Sequence, residues 1–152
     1  MGGICRGAVQ ALDRIRAPAA AVEVRLALLK STDSDSVRQA VMGLGKFRDP
    51  RVAPAVIELL QQPVSDSILG MALQALAATR DPNALGAIAP FAAAPEAYRR
   101  AVAAQALGEL GDPRGLALLW ELTKDTAVAW QEDRGPNRTV GDIARAELAK
   151  SA

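Results

Sequence analysis

The dipeptide Asp-Pro recurs at Asp49-Pro50, Asp81-Pro82 and Asp112-Pro113, at intervals of 32 and 31 residues. One further interval back stands Ala17-Pro18, which keeps the proline and lacks the aspartate. A fixed period of this length restricts a chain to stacked units, none of which can bury its apolar face alone. The flanks keep the same register. Nine residues before each anchor stand Ala8, Ala40, Ala72 and Ala103, and five before it Leu12, Leu44, Leu76 and Leu107. Two before it stand Ile15, Phe47, Thr79 and Leu110, of which only Thr79 is polar. Spacings of four and three trace one stripe of an α-helix. After the proline, the sixth residue is Val24, Val56, Ile88 or Leu119, and the ninth is Ala27, Leu59, Phe91 or Leu122. That is a second helix with its own stripe.

Asp-Pro suits the junction between two such helices. Aspartate at an N-cap accepts hydrogen bonds from free amides of the first turn, and its charge suits the positive end of the dipole. Proline at the first helical position has no amide to leave unpaired. Ala17 lacks the cap, so the first repeat is expected to fray. Each unit reads as helix A, tight turn and helix B, with repeats at about 4–34, 35–66, 67–97 and 98–126. An insertion follows at 125–139, then a terminal helix at 139–150, where Ala144 and Leu148 restore the Ala-x-x-x-Leu spacing. The predicted fold is all-α: a right-handed α-solenoid of about four and a half helix-turn-helix repeats in one domain spanning 1–152.

Composition agrees with thin, closely packed repeats. Alanine fills 32 positions and aromatics only 3% of the chain. The absence of histidine excludes a His-based triad, a His general base and a His metal ligand. Cys5, the single cysteine, cannot close an intramolecular disulfide or build a thiolate metal site alone. It reads as packing among Ile4, Ala8 and Val9, with a reactive thiol as the alternative. No metal and no cofactor is expected. A net charge of +1 offers no basic face for nucleic acid. The N-terminus has no apolar run of signal-peptide length, and charges interrupt every apolar stretch, so no membrane span and a cytoplasmic location are expected.

Two places depart from the repeat. Pro90 falls inside the third B helix and predicts a kink or split near Ala89. The connection from Asp125 to Thr139 is about ten residues longer than its counterparts, with Gly135-Pro136-Asn137 as a turn and Thr139 as the next N-cap. Trp130 in this insertion either folds over Trp120 to seal the terminal core or serves as an exposed anchor beside Arg134 and Arg138. The glycines of Leu44-Gly45 and Leu107-Gly108 read as close-packing sites within A helices. On the B helices, the positions one, eight and eleven after proline point away from the core; they include Arg51, Glu58, Gln61, Asn83, Arg114, Glu121 and Lys124. Such a row is either a groove for a peptide or helix, or a solvated face.

The stretch from Val37 to Val56, built around Val37-Arg38-Gln39-Ala40-Val41 and Asp49-Pro50, resembles a HEAT-like repeat of the phycobilin-lyase type. The stretch from Arg100 to Pro113 resembles it too, and the likeness covers nearly the whole chain. The resemblance implies a curved solenoid whose B helices line the concave side. It points first to a non-catalytic scaffold that binds another protein or peptide in that groove. A second reading is a phycobilin lyase subunit or relative, with Arg114, Arg134 and Arg138 clamping bilin propionates. A third, remote one is a HEAT-like DNA glycosylase with Trp120 and Trp130 stacking a base. The N-terminal repeat begins with Ile4, Val9, Leu12 and Ile15 unshielded, which makes it a candidate surface for self-association or for the rest of a longer array.

Overall fold

The computed structural model describes residues 18–47, 49–130 and 136–151. The expected first A helix and the packing assigned to Cys5 lie outside the described residues. The chain forms two compact units, one up to Thr79 and one from Arg80. Unit one holds α1 (Pro18–Leu28), α2 (Ser34–Leu44), α3 (Val52–Leu60) and α4 (Asp66–Thr79). Unit two holds α5 (Ala84–Ala92), α6 (Ala97–Leu110), α7 (Pro113–Leu122) and α8 (Val140–Ser151). A two-stranded antiparallel ribbon, β1 (Val128–Trp130) and β2 (Arg138–Thr139), precedes α8. The architecture is all-α, built from paired helices. None of the described helices is long and apolar enough to cross a membrane.

The repeat positions form the cores. Ala40, Leu44, Ala72 and Leu76 are fully buried in unit one, where α2 and α3 both pack on α4. Ala103 and Leu107 are fully buried in unit two, where α6 packs on α5, α7 and α8. Val56, Ile88 and Leu119, the sixth residues after proline, are fully buried as well. Alanine and glycine let the helices approach closely. A Cβ on Gly45 would stand 3.3 Å from the Cα of Ala75, and one on Gly108 would stand 2.7 Å from the Cβ of Glu147.

The first repeat departs from its expected register. Val24 is half-buried and Ala27 exposed, while Ala21, Val22, Arg25 and Leu29 face the core. Helix α1 is thus turned by one position relative to α3, whose core residues are Val52, Ala53, Val56 and Leu59. Arg25, only 4% exposed, occupies the place of an apolar residue. Its side chain crosses Gly43, where any Cβ would collide with it, and its guanidinium lies 5.3 Å from the centroid of the Phe47 ring. The bare Gly43 and the aromatic face accommodate a charged side chain that would otherwise be costly to bury.

The Asp-Pro junctions also differ from simple N-caps. Asp49, Asp81 and Asp112 each accept the backbone N–H two residues on, at 2.9, 2.8 and 2.9 Å. Only Asp112 sits at the N-cap, with Pro113 opening α7. At Asp49 and Asp81 a tight turn intervenes, closed by Val52 N–H on the Asp49 carbonyl and by Ala84 N–H on the Asp81 carbonyl. The local device shared by the three junctions is therefore an Asx turn. Pro90 neither splits nor interrupts α5, which runs as one helix through it and ends at Ala92. It stands in the last turn, where the helix is already closing with three-residue turns from Ala93 to Pro90 and Ala94 to Phe91.

The insertion is tied down at both ends. Arg100 on α6 donates to Asp125 at 2.7 Å and to the carbonyls of Ala94 and Pro95 at 2.8 and 2.6 Å. Asp125 in turn accepts from Ala127 N–H at 3.0 Å, and its carbonyl accepts from Gly141 N–H at 2.8 Å. Thr139 caps α8 through a reciprocal pair: Asp142 N–H donates to the Thr139 hydroxyl at 3.1 Å, and Thr139 N–H donates to Asp142 at 3.0 Å.

Candidate interaction surface

The second helices of the last three repeats present an exposed stripe with spacings of three, four and three, polar on α3 and α7 and made mostly of small residues and proline on α5. On α3 the exposed residues are Arg51, Pro54, Glu58 and Gln61; from the start of α5 they are Asn83, Gly86, Pro90 and Ala93. On α7 and its C-terminal end they are Arg114, Ala117, Glu121 and Lys124. Helical periodicity makes each set one face, since residues three and four apart are neighbours. Arg51, Glu58 and Gln61 share one element in unit one. Arg114, Glu121 and Lys124 share another in unit two, where Asn83 precedes α5.

The arginines that open these stripes are engaged at home. Arg51 forms a fork onto Asp49, with Nε and Nη2 at 3.0 and 2.8 Å from its two oxygens, and Arg114 repeats it on Asp112 at 3.3 and 3.0 Å. The Arg51 side chain, then its backbone N–H, hold the Asp49 carboxyl down to about 2. Arg114 lowers Asp112 in the same way. Asp-Pro-Arg is thus a self-contained clasp that closes the Asx turn and presents its guanidinium edge outward. Glu121 and Lys124 are a loose exposed pair at 3.9 Å.

Beside the α7 stripe stands Trp120, 64% exposed. Its equivalents seven residues after Pro50 and Pro82 are Ile57 and Ala89, both half-buried. That position is apolar in the last three repeats and Arg25 in the first, so pattern alone did not mark the tryptophan as exposed. Trp130 does not cover it. Trp130 packs edge-on against Tyr98, with ring centroids 6.4 Å apart and planes at 65°. The Arg138 guanidinium lies over its ring, 6.0 Å from the centroid, and Trp130 itself is half-buried, while Arg134 lies outside the described residues. The physical reason is the β1–β2 ribbon, which holds Val128 opposite Thr139 and Trp130 opposite Arg138 and lays Trp130 on α6.

In unit one a cleft of about 310 Å³ opens between α1 and α3. Leu26, Leu29 and Leu59 supply apolar walls, and Glu58 of the α3 stripe stands on its rim. Among the described residues, no group of three acidic or cysteine side chains is arranged to hold a metal ion.

HEAT repeats match residues 5–77 and 65–132 of this sequence. The chain belongs to the HEAT-repeat family. No curated protein matches it. HEAT repeats generally mediate protein–protein interaction, and stacked helix pairs of this kind offer extended surfaces for it. In this HEAT-repeat protein the polar stripes of α3 and α7 are the faces left over once the A helices and their alanines have formed the cores.

Proposed function

We propose that this HEAT-repeat chain is a non-catalytic binding module that engages a protein partner through the outer faces of its second helices, with the α7 face as the anchor. The observation that carries the reading is Trp120. A large aromatic standing 64% exposed on a helix that also carries exposed charged side chains is the composition of a binding hot spot. The clasped Arg114 and the Glu121–Lys124 pair supply a polar stripe along one side of it.

A test pairs binding with melting. Native partners co-purified with the tagged chain should be lost on Trp120→Ala by a factor of about 30 or more in affinity, the scale of a hot spot. Melting should stay unchanged, because the side chain supports little of the core. Charge reversal at Glu58 or Glu121 should weaken binding less. Partners retained equally by all three variants overturn the assignment of these faces. Bilin handling, the narrower reading from the phycobilin-lyase resemblance, calls for a free arginine clamp. With Arg138 engaged over the Trp130 ring, it is the less favoured one. A visible absorbance change on mixing with phycocyanobilin would restore it.

A further inference from the structure

We infer that the α7 face docks antiparallel on the same face of a second copy of this chain; the inference rests on the protein-binding reading above and names its partner. Along this segment the charges run negative at Asp112, positive at Arg114, negative at Glu121 and positive at Lys124. Reversing the direction of the segment about Ala117 and Leu118 sets every charge opposite its complement. A two-fold contact requires a self-complementary surface of this kind.

With the axis beside Ala117 and Leu118, Arg114 faces the second copy's Glu121 and Asp112 faces its Lys124. The two pairings differ by one residue in register, about 1.5 Å along a helix, which long side chains absorb. Slipped registers are disfavoured. A shift of about three residues one way sets Arg114 against Lys124, and the other way sets Asp112 against Glu121, like charge on like. The exposed Ala117 at the axis lets the helices approach to about 8 Å. Trp120 lies beside the stripe and covers the half-buried Leu116 of the other copy. The Asp112–Arg114 clasp is retained, since each group has free edges for a second partner. One helix pair falls short of the roughly 1,200 Å² of a standard interface, so the dimer populates only at about 10–100 µM and above.

Sedimentation equilibrium on the full chain from about 5 to 500 µM tests this, and a concentration-dependent monomer–dimer equilibrium is expected. Exchanging Glu121→Lys with Lys124→Glu conserves net charge and the pair within the helix but sets like charges together at all four contacts. It should weaken the dimer about tenfold or more, as should Trp120→Ala. Reversal of the exposed Lys46→Glu in unit one should change nothing. In a Cys5→Ser background, Ala117→Cys should oxidise to a covalent dimer and Glu109→Cys, on α6, should not. Exchange of Glu121 and Lys124 without effect, or a monomer throughout the range, overturns the inference. If that monomer still loses its native partner on Trp120→Ala, the protein-binding reading stands alone. If Trp120→Ala affects neither, both fall.

Discussion

At the scale of single residues, the decisive question is what each side chain meets within its own unit. Two glycines on helices separate propensity from packing. Gly86 on α5 has nothing within 4 Å of the position a Cβ would take, whereas one on Gly141 of α8 would stand 2.6 and 2.8 Å from the carbonyl oxygens of Thr123 and Asp125. Alanine in a helix is favoured over glycine by up to about 1 kcal/mol. Gly86→Ala is therefore expected to raise stability by up to that amount. At Gly141 the obstacle is backbone that closes the insertion, so Gly141→Ala should cost about 1–3 kcal/mol despite the same gain in propensity. Denaturant unfolding of the two variants checks the pair, and a Gly141→Ala variant as stable as the parent would show that the α7–α8 junction yields freely. The glycines of Gly45 and Gly108 were legible as packing sites because they recur five residues before a proline. Arg25 was not, because a charged residue next to Val24 gives no sign that Gly43 and Phe47 wait for it.

At the scale of elements, the hydrophobic period located the helices, and chain punctuation located their ends less well. Period alone cannot choose between an Asp that caps a helix and one that closes a turn two residues earlier, since both need the same side-chain oxygen at the same place. Nor does it register a contact between distant segments. Arg100 and Asp125 stand 25 residues apart, and each reads locally as a surface charge. Together, with side chains only 18% exposed, they join the end of α5, the flank of α6 and the start of the insertion. Burial pushes the Asp125 carboxyl up, and the Arg100 and Ala127 hydrogen bonds outweigh it and hold the group below its ordinary value. Asp125→Ala should cost about 1–3 kcal/mol, the penalty of leaving a largely buried guanidinium without its carboxylate. The loss should be local as well as global. Amide exchange at Ala127, whose N–H binds the Asp125 side chain, should accelerate more than exchange at the Leu107 core. Uniform acceleration across α6 would show that the pair supports the whole unit and not the insertion.

At the scale of the whole molecule, an absence and a recurring clasp together fix the response to pH. With no histidine in the chain, no side chain of the kind that ordinarily titrates near 6.5 is present. Among the described residues, the carboxylates that titrate abnormally all do so in one direction. Asp49 is held down to about 2 by Arg51, and Asp142 to about 2 by the Thr139 amide, then Arg145 and the Thr139 hydroxyl. Asp33, bonded by Ser36, and Asp112, bonded by Arg114, are lowered too. A carboxyl whose folded value lies below its unfolded value of about 3.9 stabilises the fold at every pH above that value. The contribution is lost as pH falls from about 4 through about 2, when the native state must take up protons it binds weakly. The eighteen Lys and Arg stay charged throughout, so acid also adds net repulsion to a chain that is near neutral at pH 7. The melting temperature should therefore be flat between about pH 5 and 7 and fall steeply only below about pH 4. Because these groups are largely solvated, each contributes modestly and the limb is their sum. The double variant Asp49→Asn, Asp142→Asn should melt lower at pH 7 and fall less between about pH 4 and 2, so that its curve converges on the parent's at the acid end. Melts across that range decide it, and parallel curves would mean that the Asp49 clasp and the Asp142 cap are spectators of the acid transition.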